Sequence, residues 1–167
     1  MRTIIALILT LLLSVDHANS QVSSATLQAV FLYQSIKYLE WPSDELTNFE
    51  ILVVGEGEIY QELLKIAKSR KVGNRSIVVK QVKSLASAPL CHIVIFTESV
   101  QAESLITSVS AKPILLVTNI EGMLEKGSDL NFIKKGDKLS YQLNSSALQS
   151  KKIKVSSSFS AMAEKII

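Results

Sequence analysis

Short β-branched runs alternate with stretches of helical spacing along most of the chain, and this alternation constrains the fold more than any other feature. Residues 49–54 are apolar apart from Glu50 and stop at Gly55. A continuous apolar run of that length, bounded by glycine, predicts a buried strand. Residues 76–82, 92–97 and 113–117 repeat the signal. Between them, 58–69 and 100–109 carry apolar residues at helical spacing: Ile59, Leu63, Leu64, Ile66 and Ala67 in the first, Leu105, Ile106 and Val109 in the second. Strands separated by helices predict a mainly parallel sheet flanked by helices, an α/β fold. The link from 82 to 92 is short for a helical crossover, so that step is not expected to be a simple βαβ unit. Residues 86–90 read as a short turn or helix.

The ends of the chain differ from this pattern. Ser23 and Ser24 are placed to cap a helix running to about residue 39, with Leu27, Val30, Phe31, Gln34 and Tyr38 on one stripe, and Pro42 stops it. Beyond Gly122, 130–133 and 138–143 flank Lys134-Lys135-Gly136-Asp137, a hairpin whose turn uses the positive φ open to Gly136. Leu139, Tyr141 and Leu143 alternate with Ser140 and Gln142, so one face of that hairpin is buried. A short helix over 144–149 and a closing helix over 155–167 complete the reading. The Ser156-Ser157-Ser158 run caps the latter.

Met1 and Arg2, the apolar stretch 4–13 and Ala18-Asn19-Ser20 form the pattern of a cleavable secretory signal peptide over 1–20. The apolar stretch is about half of the roughly 20 residues a membrane span needs. Removing 20 of 167 residues leaves 147, which fits one domain over 21–167. The formal charge of +3 is scattered, which argues against nucleic acid as a partner.

The inventory for chemistry is thin. His92 is the only histidine after residue 20, and Cys91 is the only cysteine. Two adjacent side chains do not build a zinc site, which needs ligands converging from several turns. Cys91 reads as a small core side chain, with an intermolecular disulfide as the alternative. Gly55-Glu56-Gly57 begins like a dinucleotide loop, but Tyr60 stands where the third glycine belongs, and Glu56 and Glu58 oppose a phosphate. No Gly-x-Ser-x-Gly elbow is present. No catalytic residue, metal or cofactor is expected. The basic stretches 68–71 and 151–154 read as solvated ends of elements. Trp41, the only tryptophan, follows Tyr38 where the first helix ends. Both suit either a core position or the anchor of a partner surface.

The order of these segments resembles the YfiR family of periplasmic proteins, also described as YfiR/HmsC-like. The likeness runs through Phe31, Lys37, Tyr38, Trp41 and Pro42, then Leu52-Val53-Val54-Gly55 and the Cys91-His92-Ile93-Val94-Ile95-Phe96 strand. It continues through Leu115 to Thr118, Gly122-Met123, Leu130-Asn131-Phe132, Tyr141 to Asn144, and 153–163. The family's frequent double glycine is Gly127-Ser128 here, and Cys91 alone cannot form the intrachain disulfide some members carry. The resemblance implies a non-enzymatic regulator. Such a protein binds the periplasmic domain of an inner-membrane diguanylate cyclase, holds it inactive, lowers cyclic-di-GMP and restrains biofilm formation. An outer-membrane lipoprotein that sequesters the regulator, and a homodimer, are further implied partners. The competing reading is a periplasmic small-ligand module serving an uptake system or sensor kinase, with 55–60 and 118–122 lining a pocket at the strand carboxyl ends.

Overall fold

The computed structural model describes residues 22–43, 45–85, 90–98, 100–136 and 138–167. The signal-peptide reading of 1–20 and most of the 86–90 turn lie outside them. Among the described residues, ten strands and five helices follow in order. Helix α1 (Ser24–Ser35) passes through a 3-10 turn (Ile36–Tyr38) into β1 (Leu39–Glu40). Then come β2 (Phe49–Val54), α2 (Ile59–Ser69), β3 (Lys71–Val72), β4 (Arg75–Val82), β5 (Ile93–Phe96), α3 (Ala102–Val109) and β6 (Leu115–Thr118). The chain finishes with β7 (Leu130–Lys135), β8 (Lys138–Leu143), α4 (Ser145–Ser150), β9 (Lys154–Val155), α5 (Ser157–Ala161) and β10 (Lys165–Ile166).

Eight strands form one sheet in the order β10-β8-β7-β6-β5-β2-β4-β3. The run β7-β6-β5-β2-β4 is parallel throughout, and β8 turns back antiparallel to β7. This is the mainly parallel α/β sheet that the alternation predicts. From β4 the chain passes to the far side of β2 before entering β5, so the short 82–92 link joins strands that are not neighbours.

Alternate side chains along each strand build two cores, as the twofold period of a strand requires. Ile51, Val53, Ile93, Ile95, Leu115 and Val117 meet α1, α2 and the buried Leu148 and Phe159 of the carboxyl-terminal helices. Leu52, Val54, Val94, Phe96 and Leu116 meet Ala102, Ile106 and Val109 of α3. Over β7 and β8 the α3 side of the sheet turns polar. Thr118 Oγ1 donates to Asn131 Oδ1 (2.6 Å), and Asn131 Nδ2 donates to Gln142 Oε1 (3.3 Å). Thr118 and Asn131 are buried, so their polar atoms are satisfied by each other and by Gln142.

Local chemistry fixes the element ends. Ser23 Oγ caps α1 by accepting from Thr26 N, Asn144 Oδ1 caps α4 through Ala147 N, and Ser156 Oγ caps α5 through Phe159 N. Lys135 pairs with Lys138 across the hairpin, and Gly136 takes φ 61°.

Two expectations are corrected. The core face of α1 is Gln28, Ala29, Leu32 and Ser35, whereas Leu27 and Val30 are 41% and 46% exposed. Apolar residues surround this helix, so spacing alone does not pick the buried side. The closing helix over 155–167 is only Ser157–Ala161, and it buries Phe159 but neither Met162 nor Ile166. Extended chain takes over after it. Glu164 N–H donates to Tyr141 O and Ile167 N–H to Leu143 O, so the open edge of β8 gains a partner strand that a longer helix could not provide.

Candidate protein-contact site

The two ends of the parallel strands present different surfaces. At the amino-terminal end, the segment after β1 folds across the strand starts and forms a hollow of about 450 Å³. Trp41, Pro42, Leu46, Leu90, Cys91 and Ile114 make it largely apolar, with Lys112 and Glu45 at its margin.

Trp41 is held from beneath. Its ring meets Phe49 edge-on (5.3 Å between centroids), and Nε1 donates to His92 O (3.2 Å). Phe49 is fully buried, and His92 stacks on it at 4.3 Å with 2% exposure. Both His92 ring nitrogens face donors: Glu50 N–H lies 3.1 Å from Nδ1, and Arg75 Nη1 lies 3.0 Å from Nε2. A neutral imidazole offers one lone pair, so it accepts from one of these donors at a time. The ring is therefore a packed, hydrogen-bonded platform under Trp41. Trp41 itself stays half-buried, with one part of the indole fixed and the rest facing the hollow.

Tyr38 stands elsewhere. It stacks nearly parallel on Phe159 (5.4 Å, 12°), and the Lys37 ammonium lies over its ring at 4.9 Å. It is half-buried and does not line the Trp41 hollow. The structure thus separates the two aromatic side chains that the sequence groups together. Cys91 is half-buried in the hollow wall, and burial pushes its thiol up to about 12. Such a thiol is a weak nucleophile at neutral pH.

One feature escapes the sequence reading of 151–154 as a solvated end. Lys151 and Asp129 form a buried ion pair (2.5 Å) with side-chain exposures of 2% and 0%. Lys151 Nζ also donates to Ile114 O (3.2 Å), and Asp129 Oδ2 accepts from Leu116 N (2.7 Å). Burial raises the Asp129 carboxyl and lowers the Lys151 ammonium, against the pull of each on the other. The pair ties the end of α4 to the start of β6, directly behind the Ile114 wall of the hollow. The available signal was Leu148 and Ile153 flanking Lys151, which place it beside buried chain.

At the carboxyl-terminal end lies a second opening of about 330 Å³. It sits between the loops leaving β2 and β5, where the chain turns to opposite sides of the sheet. Glu56, Gly57, Glu58, Thr97, Glu98 and Thr118 line it together with the first turn of α1. It therefore brings together parts of the two segments, 55–60 and 118–122, expected to meet at the strand ends.

Among the described residues, no helix is long and apolar enough to cross a membrane. No curated protein matches the chain in sequence. A family model described as YfiR/HmsC-like matches residues 25–164, which takes in α1 and every later element up to the last strand. This family is one of periplasmic regulators. The aromatic-Pro step at Trp41, the Cys91-His92 strand and the hairpin all lie inside the match, and the chain belongs to the YfiR/HmsC-like family.

Proposed function

We propose that this protein is a periplasmic brake on an inner-membrane diguanylate cyclase. It binds the cyclase's periplasmic domain, holds the enzyme inactive, lowers cyclic-di-GMP and restrains biofilm formation. The observation that carries this reading, beside family membership, is Trp41. A half-exposed tryptophan set on a rigid platform at the mouth of an apolar hollow has the character of an interface anchor. Tyr38 is a second, separate anchor. An outer-membrane lipoprotein that sequesters the protein would release the cyclase, and a homodimer is a further partner.

Repression requires differential binding. The cyclase's inactive state must offer better contacts than its active state. Moving an equilibrium from 1:99 to 99:1 takes about 5.5 kcal/mol of difference, which a few buried aromatic and aliphatic contacts supply. Nothing in this mechanism calls on a nucleophile or a proton donor, which agrees with the burial of His92 and the raised thiol of Cys91.

The test pairs folding with function. Trp41→Ala is expected to retain a native circular dichroism spectrum and fail to lower cyclic-di-GMP in cells. An unfolded variant would make Trp41 a core residue. A folded variant with full repression would remove it from the interface.

A further inference from the structure

We infer that the carboxyl-terminal end of the sheet carries a binding site for a short peptide with a free amino terminus and a free carboxylate. The opening of about 330 Å³ at the ends of β2 and β5 shares Ser24, Gln28, Glu98, Asn119 and Phe132 with a second opening of about 470 Å³ between α1 and the β7–β8 hairpin. The two openings therefore adjoin, and each volume lies within the usual range of ligand sites. The first occupies the switch point of the sheet: β4 lies on one side of β2 and β5 on the other, so the loops after β2 and β5 diverge there. Open α/β sheets bind ligands at such a point.

The lining selects the ligand class. One end is acidic, with Glu56 and Glu58, and Glu98 stands where the two openings adjoin. The other is basic, with Lys134 and Lys138, which make no ion pair among the described residues. Between them lie the apolar Phe132, Leu27 and Leu139. Gln28 lines both parts of the cleft at 8% exposure. One end of its amide bonds Ser24 Oγ (3.2 Å), and the other end has no protein partner among the described residues. The oxygen end of the amide is open to water, and a peptide lying in the cleft replaces that water with its own N–H. Its ammonium then faces the glutamates and its carboxylate the lysines. A free amino acid carries both charges on one carbon, whereas a peptide separates them by the length of its backbone.

The experiment uses the purified protein from residue 21 onward and needs no cyclase, so its outcome is independent of the repressor reading. The probes are an Ala-Xaa-Ala tripeptide panel, the same peptides N-acetylated or carboxyl-amidated, and free alanine and leucine. Thermal shift and calorimetric titration read binding. At least one free tripeptide is expected to raise the melting temperature saturably. Blocking either terminus should weaken it about tenfold or more, the scale of one lost charged hydrogen bond. Gly57→Leu should abolish binding in a folded protein, because a Cβ there meets only Thr97, at 3.5 Å, and the added side chain fills the acidic end. Gln28→Leu should weaken binding while keeping dependence on both termini. Failure of the whole panel, equal binding of blocked peptides, or amino acids binding as well as tripeptides would overturn the inference.

Discussion

The two ends of the parallel sheet use the same strands to opposite effect. At the amino-terminal end, Trp41 closes over Phe49 and His92, and the surface is apolar and rigid. At the carboxyl-terminal end, loops leave β2 and β5 in different directions and open a cleft bordered by exposed Glu56, Glu58 and Glu98. The difference follows from topology. Strand starts are crossed by Trp41, Pro42, Ser43, Glu45 and Leu46, which bring their own aromatic ring. Strand ends diverge, and the gap fills with polar chain ends. An apolar platform suits a protein partner, whereas a charged cleft suits a small one.

The buried pair behind Ile114 offers the strongest way to break the contrast. Replacing one member, Asp129→Leu or Lys151→Met, should cost about 3–5 kcal/mol, because each leaves an unpaired charge in the interior. The double replacement should recover most of that loss, and denaturant midpoints of the three variants measure it. A double variant no better than the singles would show that the pair does more than cancel its own charges.

Removing the platform comes close behind. Phe49→Ala empties a fully buried ring site under Trp41 and His92 and should cost about 3–5 kcal/mol. It should also red-shift tryptophan fluorescence as Trp41 loses its support. Trp41→Ala is half-exposed and should cost less, roughly 1–3 kcal/mol, while abolishing repression. At the other end, Glu98→Gln should change stability by no more than about 0.5 kcal/mol, since the carboxylate is exposed and, among the described residues, bonded only to Asn119 Nδ2.

The smallest effect at neutral pH is the thiol's. The folded state holds Cys91 protonated up to about 12, above its value in the unfolded chain. Below the unfolded value both states keep the proton and stability is unaffected by it. As pH rises from there toward 12, the unfolded chain ionises first and gains stability, so this contribution to folding is progressively lost. Thiol labelling at pH 8 should accordingly be slow in the native protein and fast in denaturant. Equal rates would mean that the amino-terminal hollow is open to solvent.

The sequence revealed β2 and β4 to β8 because each is a short apolar or alternating run ended by glycine, proline or a polar turn, whereas the two-residue strands β1, β3 and β9 carry no such signal. It revealed two caps because Ser23 and Ser156 act within their own turn, whereas the cap at Asn144 came only with the structure. It did not show which side of α1 faces inward, since Leu27 and Val30 are as apolar as Ala29 and Leu32. It did not show β10 either, because two residues become a strand only when β8 stands beside them. Lys151 looks solvated in sequence, and its partner Asp129 is 22 residues away. The candidate contact site was legible in part. Trp41 stands out as a lone tryptophan at a helix end, but its support from Phe49 and His92 arises only when β2 and β5 pair.

The central claim is that the Trp41 end restrains a cyclase from the periplasm, and cellular cyclic-di-GMP tests it most directly. The gene is deleted, then restored as the exported protein, as a copy lacking residues 1–20, or as exported Trp41→Ala. The account predicts a rise on deletion that only the exported wild-type protein reverses. Unchanged cyclic-di-GMP on deletion, where the gene is expressed, or full reversal by the leaderless copy, would contradict it.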